Sequence, residues 1–121
     1  MTLQKPQILY LDDEKANLDV FYYSFFDDFD ISIAQNPKEA IELLASKPFQ
    51  ILLADQRMPE ISGIEFIKSS KNQFPDLISI IITAYANLDD VISAVNEVNV
   101  YRFLTKPFLC QIDILLCNEV V

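Results

Sequence analysis

The sequence predicts an α/β fold in which five parallel β-strands form a doubly wound sheet covered by helices on both faces. Short apolar runs of strand length alternate five times along the chain with stretches of helical periodicity. The runs are nearly continuous in apolar residues, as expected of strands that are buried on both faces. We therefore expect a single α/β domain over residues 1–121, with right-handed crossovers between the strands.

The predicted strands are bounded by turn-forming residues. Four of them are almost wholly apolar and should lie inside the sheet: 8–11, 49–54, 77–83 and 100–104. A weaker candidate, 31–34, places Ser32 between two isoleucines, which suits a half-exposed edge strand. The order of elements along the chain is then strand and helix, repeated five times.

Helical periodicity covers the intervening stretches 16–26, 38–46, 64–72, 88–95 and 111–119. Asn36 followed by Pro37 predicts an N-cap and a proline at the first helical position. Ser62 before Gly63 is a second cap candidate. Phenylalanines near the first helix are interpreted as core residues, namely Phe21, Phe25, Phe26 and Phe29.

The composition excludes several classes of function. A formal net charge of −9 argues against a surface that binds nucleic acid directly, because such surfaces need clustered lysine and arginine. The absence of histidine excludes a Ser-His-Asp triad and most zinc or haem sites. Neither a signal sequence at residues 1–7 nor an apolar run of membrane-spanning length is present, so we expect a cytoplasmic protein without a membrane partner.

Acidic and polar residues follow the predicted strands at the edge where ligands bind in open parallel sheets. Asp12 and Asp13 follow the first strand, Asp55 the third, Thr83 ends the fourth and Lys106 follows the fifth. Three carboxylates gathered there would repel by roughly 4 kcal/mol per pair at 4 Å. Oxygen ligands in an open site favour Mg²⁺ over Ca²⁺, with Mn²⁺ also possible. In the alternative interpretation, these acids only begin a helix and a turn.

Four segments together resemble the receiver domains of two-component response regulators. They are residues 8–14 (Ile-Leu-Tyr-Leu-Asp-Asp-Glu), 54–59 (Ala-Asp-Gln-Arg-Met-Pro) with Ser62-Gly63, 82–84 (Ile-Thr-Ala) and 103–107 (Phe-Leu-Thr-Lys-Pro). The resemblance extends over the whole chain and implies a flavodoxin-like (βα)5 fold with strand order 2-1-3-4-5. It also implies a signalling switch, phosphorylated on an aspartate by a histidine kinase or a phosphotransfer protein.

The resemblance implies a role for each residue at the strand ends. Asp55 is expected to be the phospho-acceptor and to bind Mg²⁺ together with Asp13, with Asp12 acting largely through water, and with the backbone carbonyl of Arg57. A receiver of this kind is a regulatory domain that catalyses only its own phosphorylation and dephosphorylation. Lys106 is expected to contact a phosphoryl oxygen.

Further residues are implied to transmit or time the signal. Thr83 is expected to bond a second phosphoryl oxygen and to form a switch pair with the aromatic Phe103. The output surface would be the predicted helix 4 (88–95), strand 5 (100–104) and helix 5 (111–119), which would bind an effector domain or protein, or a second copy of the chain. Arg57 and Tyr85 are expected to flank the approach of water to the phosphorylated aspartate. The resemblance also implies a cis peptide bond between Lys106 and Pro107.

Glycine occurs once in the chain, where the loop after Asp55 enters a helix, and we expect a positive φ at this Gly63. Two enzyme or cofactor classes fit poorly. A haloacid-dehalogenase-like phosphatase is recognised by Asp-x-Asp after its first strand, whereas Asp55 is followed here by Gln56 and Arg57. A flavodoxin-type FMN binder is disfavoured because the acids after the first strand would repel the FMN phosphate. The remaining rival is a receiver fold that is not phosphorylated and serves as a protein-docking module.

Overall fold

A computed structural model describes residues 5–83 and 102–105 of the chain. Its strands are β1 (Gln7–Leu11), β2 (Asp30–Ala34), β3 (Ile51–Asp55), β4 (Ile78–Thr83) and β5 (Arg102–Thr105). The described helices are α1 (Lys15–Phe25), α2 (Pro37–Ser46) and α3 (Gly63–Ser70). The predicted helices 88–95 and 111–119 lie outside the described residues.

All strands pair in parallel, in the order β2-β1-β3-β4-β5. This order confirms the predicted doubly wound, flavodoxin-like sheet, in which the chain first builds one edge and then crosses to the other. β1 and β3 are neighbours at its centre, with Leu11 paired to Ala54. The ends of these two strands therefore lie side by side, which brings together whatever residues follow them.

Apolar side chains fill both faces of the sheet, as the nearly continuous hydrophobic strands predict. Successive residues of β1 alternate between the two layers: Tyr10 packs with the α1 side, whereas Leu9 and Leu11 pack with the α2 and α3 side. Every residue of β3 is buried. The sheet thus gives its C-terminal edge a rigid base.

Helix α1 packs on the sheet through Phe21 and Phe25, which are four residues apart and therefore share one face. Phe29, after the helix, is also buried. The assignment of Phe26 to the core is wrong, because this side chain is 46% exposed. It lies beyond the last residue of α1, about 100° around the helix from Phe25, and stacks on Tyr22 with ring centroids 6.0 Å apart.

Local sequence determines where α2 begins. The Asn36 side chain accepts a hydrogen bond of 2.9 Å from the backbone N–H of Glu39, and Pro37 occupies the first turn. This confirms the predicted N-cap, since the cap satisfies a backbone donor that has no partner within the helix. None of the helices within the described part of the chain combines the length and the apolar character that a bilayer span requires.

Candidate functional site

Three carboxylates meet at the C-terminal edge of the sheet. Asp12 and Asp13 directly follow β1, and Asp55 is the last residue of β3. Oxygen atoms from these three side chains lie within 4.8 Å of one another. Asp12 is fully buried and Asp55 is 5% exposed, whereas Asp13 is more open to solvent. The structure therefore brings together the three acids that the sequence placed at strand ends.

Both carboxylate oxygens of Asp12 are held by donors from the protein. The Tyr10 hydroxyl donates to Oδ2 at 2.7 Å, and Asn17 Nδ2 donates to the same oxygen at 3.2 Å. The backbone N–H of Glu14 donates to Oδ1 at 2.9 Å. This network fixes the plane of a charged group that is removed from water, where an unpaired charge would be costly.

Sequence reasoning missed Tyr10, although a signal was present. Side chains two residues apart on a strand lie on the same face, so Tyr10 is placed beneath Asp12. Burial raises the pKa of the Tyr10 hydroxyl well above its ordinary value, and the negative charge of Asp12 raises it further. The phenol therefore remains protonated and acts as a hydrogen-bond donor to the carboxylate.

The donor set of the cluster suits a small hard cation. All three side chains offer carboxylate oxygens, the ligands that Mg²⁺ and Mn²⁺ share. With their oxygens within 4.8 Å of one another, Asp12, Asp13 and Asp55 are close enough together that they would hold one such ion.

The loop after β3 is closed by hydrogen bonds to Gln56. Its backbone N–H donates to the Ile82 carbonyl at 2.8 Å, and its own carbonyl accepts from the Gly63 N–H at 3.2 Å. The Gln56 side-chain oxygen accepts from the Ile64 N–H at 3.0 Å. These three bonds tie the end of β3 to β4 and to the start of α3. Arg57, the next residue of the loop, is exposed.

Gly63 is the first residue of α3, and the predicted positive φ there is wrong. The reason for glycine is crowding: a β-carbon at this position would lie 2.5 Å from the Asp55 carbonyl oxygen and 3.0 Å from Ile81 Cδ1. The structure confirms the predicted cap at Ser62, whose side chain accepts from the Glu65 N–H at 3.1 Å. Helix α3 therefore begins directly against the backbone of Asp55.

Strands β4 and β5 end at the same edge of the sheet. Asp55 pairs with Ile82, so the backbone of Thr83 lies one residue beyond the acid cluster along the neighbouring strand. Phe103 of β5 pairs with Ile81 of β4. Lys106, Pro107 and Tyr85 lie outside the described residues, and their convergence on the site stays a prediction.

Comparisons with known sequences agree with this architecture. The model of the response regulator receiver domain matches residues 8–115. The chain is 31% identical over 109 residues to the hydrogenase transcriptional regulatory protein HoxA of Cupriavidus necator, covering 90% of this chain and 23% of that protein. It is 41% identical over 78 residues to the response regulator protein PilR of Pseudomonas aeruginosa, covering 64% and 17%. The chain thus spans less than a quarter of the length of these curated relatives.

A solved structure shares the fold over nearly the whole chain. The signal receiver domain of an HD domain-containing protein from Pseudomonas fluorescens Pf-5 superposes with a TM-score of 0.89 at 23% identity, covering 97% of this chain and 95% of that one. The residues matched by the family model, 8–115, begin inside β1 and extend past β5, so they include every strand that borders the acid cluster. This chain therefore belongs to the family of response regulator receiver domains, which work in two-component signalling.

Proposed function

We propose that this receiver domain is a phosphorylation-controlled switch that accepts a phosphoryl group on Asp55 in a Mg²⁺-dependent reaction, with Mn²⁺ as an alternative ion. The donor is a histidine kinase or a phosphotransfer protein. One observation carries the proposal: the Asp55 carboxylate lies at a strand end within 4.8 Å of two further carboxylates. Such a cluster is electrostatically unfavourable unless a cation neutralises it.

Asp12 is less suited than Asp55 to be the nucleophile because of how it is held. Asp12 is fully buried, and both of its oxygens accept hydrogen bonds from the protein. Asp55 is 5% exposed at the end of a central strand. In the proposed step, an oxygen of Asp55 forms a bond to phosphorus while the phosphorus–nitrogen bond to the donor imidazole breaks, and the bonding electron pair remains on nitrogen.

The negative charge on the transferring group needs positive partners. Asp12, Asp13, Asp55 and the backbone carbonyl of Arg57 would hold Mg²⁺, which when bound neutralises charge on the carboxylates and on the phosphoryl oxygens. Lys106 would add a second positive charge. The Thr83 hydroxyl would donate a hydrogen bond to a phosphoryl oxygen.

Phosphorylation would then change the surface formed by helix 4, β5 and helix 5, through Thr83 and Phe103. Changing the ratio of active to inactive state from about 1:99 to 99:1 requires about 5.5 kcal/mol of differential binding. Several charge-assisted hydrogen bonds together with a metal contact are of that order. The partner at this surface is an effector domain or protein, or a second copy of the chain.

The competing function is a docking module that keeps the receiver fold without phosphorylation. Its expected sign would be the loss of the acceptor aspartate, of the acid pair or of the lysine. Asp12, Asp13 and Asp55 are all present and grouped, which favours the phosphorylated switch.

The decisive experiment is labelling with acetyl phosphate in the presence of Mg²⁺, followed by intact-mass measurement. We expect labelling of the wild type and of Asp28→Asn, which changes an exposed carboxylate away from the cluster. Asp55→Asn should remain unlabelled, because an amide is a far poorer nucleophile. Full labelling of Asp55→Asn at another carboxylate would reject the assignment. A wild type that takes neither acetyl phosphate nor beryllofluoride would favour the docking module.

A further inference from the structure

We propose that Tyr10 and Asn17 form a positioning pair that fixes the Asp12 carboxylate for its contact with the metal shell. This inference rests on the Mg²⁺-dependent function proposed above. Tyr10 donates to Asp12 Oδ2 at 2.7 Å and Asn17 donates to the same oxygen at 3.2 Å. Both residues would act through Asp12, so neither needs to contact the phosphoryl group.

The Tyr10 ring is itself held in place. Its side chain is fully buried and packs edge-on against Phe21 of α1, with ring centroids 5.1 Å apart and an interplanar angle of 74°. A ring confined in this way holds its hydroxyl in one position relative to the following residues of the chain. The hydrogen bond to Asp12 is therefore set by the packing of β1 against α1 rather than by a flexible surface contact.

Asn17 approaches the same oxygen from a different element. It lies in the first turn of α1, whereas Tyr10 lies on β1. Two donors from two packed elements restrict both the rotation and the tilt of the Asp12 carboxylate, and the Glu14 N–H holds the other oxygen. Partners behind a metal ligand commonly orient it in this way, and their loss weakens metal binding about 10- to 100-fold.

Burial makes the phenol difficult to replace. Asp12 is fully buried, so bulk water cannot supply the donor that Tyr10 provides. A simpler possibility is that the bond only satisfies a buried hydroxyl and contributes to folding. The two roles differ in one measurable respect: only a positioning role makes the effect of Tyr10 on metal binding depend on the presence of Asp12.

The test uses Tyr10→Phe, which removes one oxygen atom and keeps the ring. Mg²⁺ affinity is measured by calorimetry, and folding is checked by circular dichroism. We expect a dissociation constant about tenfold higher than that of the wild type. Asn17→Ala, at a partly exposed position, should raise it by a smaller factor. The matched control is Tyr22→Phe, the same change on a ring that stacks on Phe26, and it should leave the affinity unchanged.

A double-mutant cycle with Asp12→Ala separates positioning from a general structural effect. In the Asp12→Ala background, adding Tyr10→Phe should change the remaining Mg²⁺ affinity by less than about twofold. An equal loss in both backgrounds, or a Tyr10→Phe affinity equal to that of the wild type, would overturn the inference. If Tyr10→Phe does not fold, Asn17→Ala takes its place in the same cycle. If the wild type itself binds no Mg²⁺, the proposed function fails together with this inference. If the wild type binds Mg²⁺ and Tyr10→Phe binds it equally well, only this inference fails.

Discussion

Gly63 lies directly against the backbone of Asp55. A β-carbon at Gly63 would lie 2.5 Å from the backbone carbonyl oxygen of Asp55. The next nearest atom, Cδ1 of the Ile81 side chain, would be 3.0 Å away. The first turn of α3 therefore packs onto the residue that we propose to be phosphorylated. Any residue larger than glycine must displace the helix, the strand end or both.

Replacing Gly63 by alanine should destabilise the domain and disturb the end of β3. The added methyl group meets backbone, which is less able to yield than a side chain, so we expect the free energy of unfolding to fall by about 1–3 kcal/mol and phosphorylation to slow. Chemical denaturation and acetyl phosphate labelling check the two effects. Ser69→Ala, on the exposed face of the same helix, serves as the control. Equal stability of Gly63→Ala and the wild type would show that the helix start can move freely.

Removing the more exposed acid should separate metal binding from folding. Asp13→Ala is expected to weaken Mg²⁺ binding at least tenfold and, in metal-free buffer, to raise the melting temperature, because one of three mutually repelling charges is lost. Calorimetry and thermal unfolding with and without Mg²⁺ are the measurements. Asp28→Ala should alter neither property. An unchanged Mg²⁺ titration of Asp13→Ala would mean that the ion binds elsewhere.

Signal transmission can be followed without a kinase. Beryllofluoride with Mg²⁺ should shift backbone NMR resonances around Asp55 and also those of Phe103 and the helix 4, β5 and helix 5 surface. The reason is that the Thr83 hydroxyl is expected to move toward the phosphoryl mimic and to vacate space for the ring. Shifts confined to the neighbourhood of Asp55 would contradict this coupling. Asp55→Asn provides the control in which no shifts are expected.

The lifetime of the phosphorylated state should depend on Arg57 and Tyr85. Neither side chain is suited to orienting an attacking water, and both are large enough to cover the phosphoryl group, so we expect slow self-dephosphorylation. Arg57→Asn combined with Tyr85→Glu should shorten the lifetime about tenfold, equivalent to roughly 1.4 kcal/mol in the barrier. Phosphate release after removal of the donor measures it.

A matched control for the lifetime is Lys38→Asn with Tyr23→Glu, which removes a cation and an aromatic ring from exposed positions elsewhere. This variant should decay at the wild-type rate. A wild-type half-life of only seconds, or equal rates for the wild type and the variant at Arg57 and Tyr85, would reject the explanation.

Features determined by neighbouring residues were predictable from sequence. The caps at Asn36 and Ser62 depend on side chains that bond backbone donors three residues ahead, and both are present. The acid cluster was predictable because parallel strands end at one edge, so Asp12 and Asp55 had to approach each other once β1 and β3 were neighbours.

Features that depend on tertiary contacts were not predictable in the same way. The need for glycine at position 63 arises from the Asp55 carbonyl and Ile81, which reach it from two different strands. Phe26 is as apolar as Phe25, but the end of α1 decides which of the two faces the sheet. The bond from Tyr10 to Asp12 required knowing that the ring is buried against α1.

The hydrogen bonds of Gln56 have a consequence for how this domain can diversify. At the beginning of the loop, the Gln56 backbone N–H donates to β4; at its end, the N–H groups of Gly63 and Ile64 donate back to Gln56. The intervening residues 57–62 therefore form a closed segment with fixed ends. Side chains on the exposed outer part of that segment, such as Pro59 and Glu60, can therefore be exchanged without moving Asp55. The surface around the proposed phosphorylation site should therefore tolerate variation in sequence while the arrangement of the three acids is kept.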